Sequence, residues 1–219
     1  MIDSIAEVLS KMLLGIEFLS ALIAFLYFFK LKNTYWKWFC VYLMFIFFQE
    51  FYWFFNSSLH GVTKQDYFTY IGIPIQYLFL FWLYALKSLK SKNIFLVCLL
   101  VYISTYFPFE LYYKKVNAVY SLNLTIGTIL MTFLTVLEFK KQIKTDDILK
   151  FKENKMFYIN AGVILFYIGT YPFFAFYNIL LEEPFKSLGD FYYIYFKASV
   201  CLMYLLFISS FIWGKHQLK

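Results

Sequence analysis

The chain has no arginine, two histidines and three cysteines, and only 15% of its 219 residues are charged. A water-soluble domain is nearer a quarter charged and half apolar. Here 62% of the residues are hydrophobic and 26% aromatic. A single core in water cannot absorb so many Phe, Tyr, Leu and Ile side chains, so lipid must solvate most of this surface. The other scarcities remove whole classes of chemistry. Cys40, Cys98 and Cys201 lie inside apolar runs and form no CxxC pair, and no histidine stands near them at metal-ligand spacing. They read as small buried apolar residues. His60 falls in a loop and His216 in a tail, where histidine is ordinarily just solvated. No Gly-rich phosphate loop, serine–histidine arrangement or histidine cluster occurs. The reading therefore leans away from an enzyme, with no catalytic residue and no metal site.

What is present is lysine, and its placement is informative. All 20 basic residues are lysines, and the net charge is +7. They cluster in short loops between apolar runs, which marks membrane topology rather than nucleic-acid binding. The abundance of Lys, Asn, Ile, Phe and Tyr is what an AT-rich bacterial genome encodes. The expected location is accordingly the bacterial inner (cytoplasmic) membrane, multi-pass.

A spanning helix takes about 20 largely apolar residues. Seven candidates follow: Met12–Phe29, Trp38–Phe55, Tyr67–Leu86, Ile94–Pro108, Asn117–Phe139, Met156–Leu181 and Phe191–Trp213. The fourth is the shortest. Asp3 and Glu7 precede the first run, which is not the basic start of a cleaved signal peptide. Fourteen lysines fall in the first, third and fifth connections and the C-terminal tail, against five on the other side. Positive loops stay in the cytoplasm. The expectation is a single all-α domain over residues 1–219, a seven-transmembrane-helix bundle with its N-terminus outside and C-terminus inside.

An internal repeat is the next expectation. The second span ends Phe54-Phe55-Asn56 and the sixth Phe176-Tyr177-Asn178. The third begins Asp66-Tyr67-Phe68 and the seventh Asp190-Phe191-Tyr192. Gly15 and Gly127 open similar runs. These matches point to a parallel 3+1+3 arrangement, as in several transporter folds. The alternative is chance matching in a chain so rich in Phe and Tyr.

Polar residues in lipid turn inward and find partners. In the fifth span Asn117, Ser121, Thr125, Thr128, Thr132 and Thr135 lie along one face, suited to close helix packing or to lining a cavity. The sixth carries Asn160, Tyr167, Tyr171 and Asn178 on one face, with a kink expected at Pro172. The seventh carries Asp190, Tyr193, Lys197, Cys201 and Tyr204. Lys197 stands out, because a lysine near a helix centre costs about 2.5–3.5 kcal/mol on insertion scales. Either it snorkels to the interface or an internal carboxylate, Glu17 or Glu50, offsets it. Gln76 and Thr125 lie slightly deeper. Lys197, Glu17, Glu50, Gln76, Thr125 and Tyr171 are thus the expected ligand or ion-pair pocket.

Three resemblances bear on this. Tyr171-Pro172 in the sixth span and Lys197 in the seventh resemble microbial rhodopsins, which hold retinal on a seventh-helix lysine. Gln76 stands where a third-helix carboxylate is expected, and Tyr193 where an aspartate is typical, so retinal is not the expected cofactor and none other is implied. The length and 3+1+3 pattern resemble SWEET-like sugar transporters, but Pro74 and Pro172 do not fall at matching repeat positions. The segment from Phe157-Tyr158-Ile159-Asn160 to Phe173-Phe174 resembles a group of small seven-helix bacterial membrane proteins, which carries no activity over. Glu182-Glu183 resembles the acidic pair of membrane prenyl proteases but lacks their arginine and histidines, and reads as a turn before Pro184.

The expected function is a membrane-embedded, receptor-like sensor that binds a small ligand in the outer half of the bundle. It would signal through a separate cytoplasmic partner or membrane subunit, its basic loops resting against the lipid bilayer. The alternatives are a small solute transporter or channel subunit, and a structural or assembly subunit without a ligand.

Overall fold

The computed structural model describes residues 2–56, 58–59, 61–107, 118–145 and 147–214. Expectations resting on His60, Pro108, Lys114, Lys115, Asn117, Lys215, His216 and Lys219, and on the side chains of Ser121 and Asn178, lie outside the described residues. Seven apolar helices are described: α1 (Ile2–Leu31), α2 (Trp36–Phe55), α3 (Lys64–Ser88), α4 (Lys92–Ser104), α5 (Ala118–Lys144), α6 (Lys155–Ala175) and α7 (Lys186–Ile212). All but α4 are long and apolar enough to cross a membrane. A two-stranded antiparallel hairpin, β1 (Ser58–Leu59) with β2 (Val62–Thr63), joins α2 to α3. Its turn uses Gly61 at φ +84°, a conformation only glycine adopts freely. Thr63 then caps α3, accepting from the Asp66 amide while Asp66 accepts from the Thr63 amide.

α4 is 13 residues long, about 20 Å at 1.5 Å per residue, short of the roughly 30 Å hydrocarbon core. The expected fourth span ran to Pro108, but the helix ends at Ser104. Thr105 turns its hydroxyl back onto the Tyr102 carbonyl and also bonds Asn123 of α5.

α1 has the inverted pattern of a helix in lipid. Its outward face carries Phe18, Leu22, Phe25, Leu26 and Phe29, all well exposed. Its inward face carries Glu17, Ser20, Ala21 and Ala24, all buried. Small residues let helices approach closely where lipid supplies no hydrophobic drive. α1 accordingly packs between α2 and α7, and α7 in turn packs on α6. α5 packs against α3, α4 and α6. α3 meets α2 through Tyr42 and Phe79, whose rings stack 4.2 Å apart at 6°. Gly127 admits the Tyr77 ring onto α5; a Cβ there would lie 2.6 Å from it.

The expected kink in α6 begins earlier than Pro172. Residues Ile164–Ile168 form a π-helical turn, with the Gly169 amide bonding the Ile164 carbonyl at 2.9 Å. A turn at Gly169 and Thr170 follows, and helix resumes at Tyr171. Proline has no N–H and its ring crowds the carbonyl four residues back, so the disturbance lies N-terminal to it. The π register takes from the Leu165 carbonyl its ordinary partner, the Gly169 amide. The Tyr195 hydroxyl of α7 replaces it, donating to that carbonyl at 3.1 Å. α3 repeats the device: a π turn over Phe68–Gly72 immediately precedes the helix that contains Pro74.

Candidate functional site

The hairpin end of the bundle encloses a cavity of about 520 Å³. Each of the six long helices lines it. α1 gives Leu13 and Glu17, α2 gives Glu50, and α3 gives Lys64 and Gln76. α5 gives Thr128, α6 gives Phe166 and Tyr167, and α7 gives Lys197 and Tyr204. Four of the six residues singled out in the sequence therefore share one wall-to-wall space: Glu17, Glu50, Gln76 and Lys197. Thr125 and Tyr171 are not among its lining residues. They stand beside each other at the α5–α6 contact, the Tyr171 hydroxyl 3.4 Å from Thr125 Oγ1.

The charges in the cavity are unevenly satisfied. Lys64 Nζ lies 3.7 Å from a Glu50 oxygen. Lys197 lies over the rings of Tyr193 and Phe196, its nitrogen 5.6 and 5.8 Å from their centroids. Among the described residues no carboxylate comes within 4.0 Å of the Lys197 nitrogen. Glu17 is 3% exposed, and among the described residues its carboxylate has no hydrogen bond or ion pair. Gln76 is held by the Tyr167 hydroxyl, which donates to its Oε1 at 3.0 Å.

Below the cavity the bundle is closed by aromatic rings. Tyr77 packs at a tilt against Tyr102 and Tyr167, ring centroids 5.4 and 5.2 Å apart, and bonds Thr128 Oγ1 at 3.0 Å. Deeper still, the Tyr84 hydroxyl donates to Asn160 Oδ1 at 2.8 Å, both residues fully buried. Thr132 and Thr135 turn their hydroxyls back onto the carbonyls of Thr128 and Met131. Both hydroxyls are thus satisfied within their own helix, and neither residue is among the cavity's lining residues.

A second polar cluster, at the opposite end, was not read from the sequence. Glu138 of α5 is buried. Ser88 donates to its Oε2 at 2.6 Å, and Gln142 and Lys141 to its Oε1 at 3.0 and 3.4 Å. Lys141 also donates to Ser88 Oγ at 2.7 Å. The signal was available: Glu138 and Gln142 continue the Thr128–Thr135 stripe at helical spacing. Tyr35, between α1 and α2, lies near this cluster, and burial, with the Glu138 charge, pushes its phenol up to about 12. Lys155 is buried close by, its nitrogen 5.5 and 5.3 Å from the Trp36 and Phe211 rings, with no hydrogen-bond partner among the described residues. Cys40, Cys98 and Cys201 are buried free thiols.

The fold and cavity define a class: an all-α bundle whose apolar helices fit a lipid bilayer, with a largely apolar cavity that carries a few charged and amide groups among six of them. Beyond that class, no protein family model, curated protein or solved structure matches the chain.

Proposed function

We propose that the chain is a seven-span, receptor-like module that binds a small ligand in the cavity at its hairpin end, with the N-terminus outside and the C-terminus in the bacterial cytoplasm. The observation that carries this reading is the cavity's one-sidedness. Charged and amide groups line it near the hairpin, while the fully buried Tyr77, packed on Tyr102, forms its floor and the buried Tyr84–Asn160 pair lies farther from the hairpin. Its volume, about 520 Å³, lies within the range of small-molecule sites. The lysine distribution supports an outside mouth. Output would then pass to a separate partner through the basic loops.

A transporter is the second reading, favoured by one observation: α6 is broken and α3 carries π turns, and discontinuous helices commonly form the substrate sites of transporters. Cysteine labelling separates the two. A membrane-impermeant thiol reagent added to cells should modify Leu13→Cys and leave Thr132→Cys, Thr135→Cys and Asn160→Cys untouched. Labelling of Thr135→Cys and Asn160→Cys from either side would overturn the receptor reading and establish a through-path.

A further inference from the structure

The cavity's chemistry narrows what it can hold. Glu17 on α1 and Lys197 on α7 face one space, ionise with opposite charge, and are the two ionisable lining side chains that make no hydrogen bond or ion pair among the described residues. Glu50 and Lys64, the other two lining ions, already pair. The wall therefore has one acidic and one basic end that no neighbour pairs directly. In a low-dielectric site an unpaired charge is costly. A ligand bearing only a cation would satisfy Glu17 and leave Lys197 unmet, and a simple anion would do the reverse. The rest of the wall is apolar and aromatic, with Leu13, Ile73, Phe166, Phe174, Val200 and Met203 among it.

We infer that the cavity binds a small zwitterion on an apolar body, its ammonium on Glu17 and its carboxylate on Lys197. The inference rests on the ligand-binding reading above and specifies its ligand. An amino acid with an aromatic or branched side chain has this chemistry. The ammonium also finds ring faces nearby, which attract cations. Gln76, fixed by Tyr167, offers its amide N–H groups to the carboxylate or to a polar substituent.

The test uses the full chain in lipid nanodiscs and three probes of one skeleton: L-phenylalanine, phenethylamine and 3-phenylpropanoate. The readout is protection of Leu13→Cys from a thiol reagent, with affinities from isothermal titration on the unmodified chain. L-phenylalanine should protect, and should bind at least tenfold more tightly than either half-analogue. Glu17→Gln should weaken L-phenylalanine at least tenfold and leave 3-phenylpropanoate unchanged, and Lys197→Gln should do the converse for phenethylamine. Phenethylamine binding as well as L-phenylalanine would make this a cation site, and 3-phenylpropanoate doing so an anion site; either overturns the zwitterion. So would a reactive Leu13→Cys that none of the three protects. A Leu13→Cys that does not react at all would instead overturn the open cavity on which the inference rests.

Discussion

Glu138 and Lys155 lie at the same end of the bundle and differ in how burial treats them. Glu138 accepts from three donors, so its burial is compensated. Among the described residues Lys155 has no hydrogen-bond partner, and the Trp36 and Phe211 rings lie beside its ammonium. It also stands at the first position of α6, where the helix dipole disfavours a cation. The ring contacts offset part of this, by about 0.5–2 kcal/mol. Replacing such a group with an apolar one of similar shape is often stabilising. Lys155→Met should therefore keep the fold and raise its stability by about 1–2 kcal/mol, read as a higher melting temperature of the detergent-solubilised protein. A fall in melting temperature would mean the ring contacts outweigh the desolvation. Residues like these explain what was legible beforehand. Glu17, Glu50, Gln76 and Lys197 were visible because a polar residue in an apolar run is conspicuous. Which of them pairs with which was not, because Lys64, the partner of Glu50, lies beyond the hairpin in sequence and is near it only once the chain folds.

At the scale of the element, the helices were legible as apolar runs with inward stripes, and their ends were not. α5 runs on to Lys144, past the expected Phe139, because Glu138, Lys141 and Gln142 find partners in one another and in Ser88. α4 stops before its expected end because Thr105 is drawn onto the Tyr102 carbonyl and Asn123, contacts no hydropathy window registers. The break in α6 was expected at Pro172, but its form, a π turn with a carbonyl handed to another helix, depends on Tyr195 in α7. That contact ties the break to its neighbour. Gly169 leaves room for it, since a Cβ there would collide with the Tyr195 hydroxyl oxygen. Tyr195→Phe removes one hydrogen bond and leaves the Leu165 carbonyl unmet. The expected loss is about 1–3 kcal/mol, with a lower melting temperature and faster amide exchange confined to residues 164–171. Exchange raised evenly along α6 and α7 would show that the hydroxyl does not hold the break in place.

At the scale of the whole molecule, hydropathy gives a membrane bundle without effort, whereas the number of crossings turns on α4. The lysine distribution and the length of α4 pull in different directions. Its 13 residues reach about 20 Å, two thirds of a typical hydrocarbon core. Yet with seven crossings the lysines divide fourteen to five. If α4 did not cross, every segment after it would change sides. Lys140, Lys141, Lys144, Lys150, Lys152 and Lys155 would then lie opposite Lys87, Lys90 and Lys92, and the bias that orients the chain would be lost. Mismatch costs only fractions of a kcal/mol per Å, because the bilayer thins and flanking residues snorkel. Placing a cluster of lysines on the wrong side is the larger violation. The lysine pattern thus favours the proposed seven crossings, with the cavity end outside. Reporter fusions after Lys90, Lys115 and Lys150 check this directly. A periplasmic reporter should be active only at Lys115, and a cytoplasmic fluorophore should mature only at Lys90 and Lys150. Periplasmic activity at Lys150 with none at Lys115 would remove α4 from the spans. It would also contradict the Ser88–Glu138 hydrogen bond, which sets the end of α5 beside the end of α3, away from the hairpin.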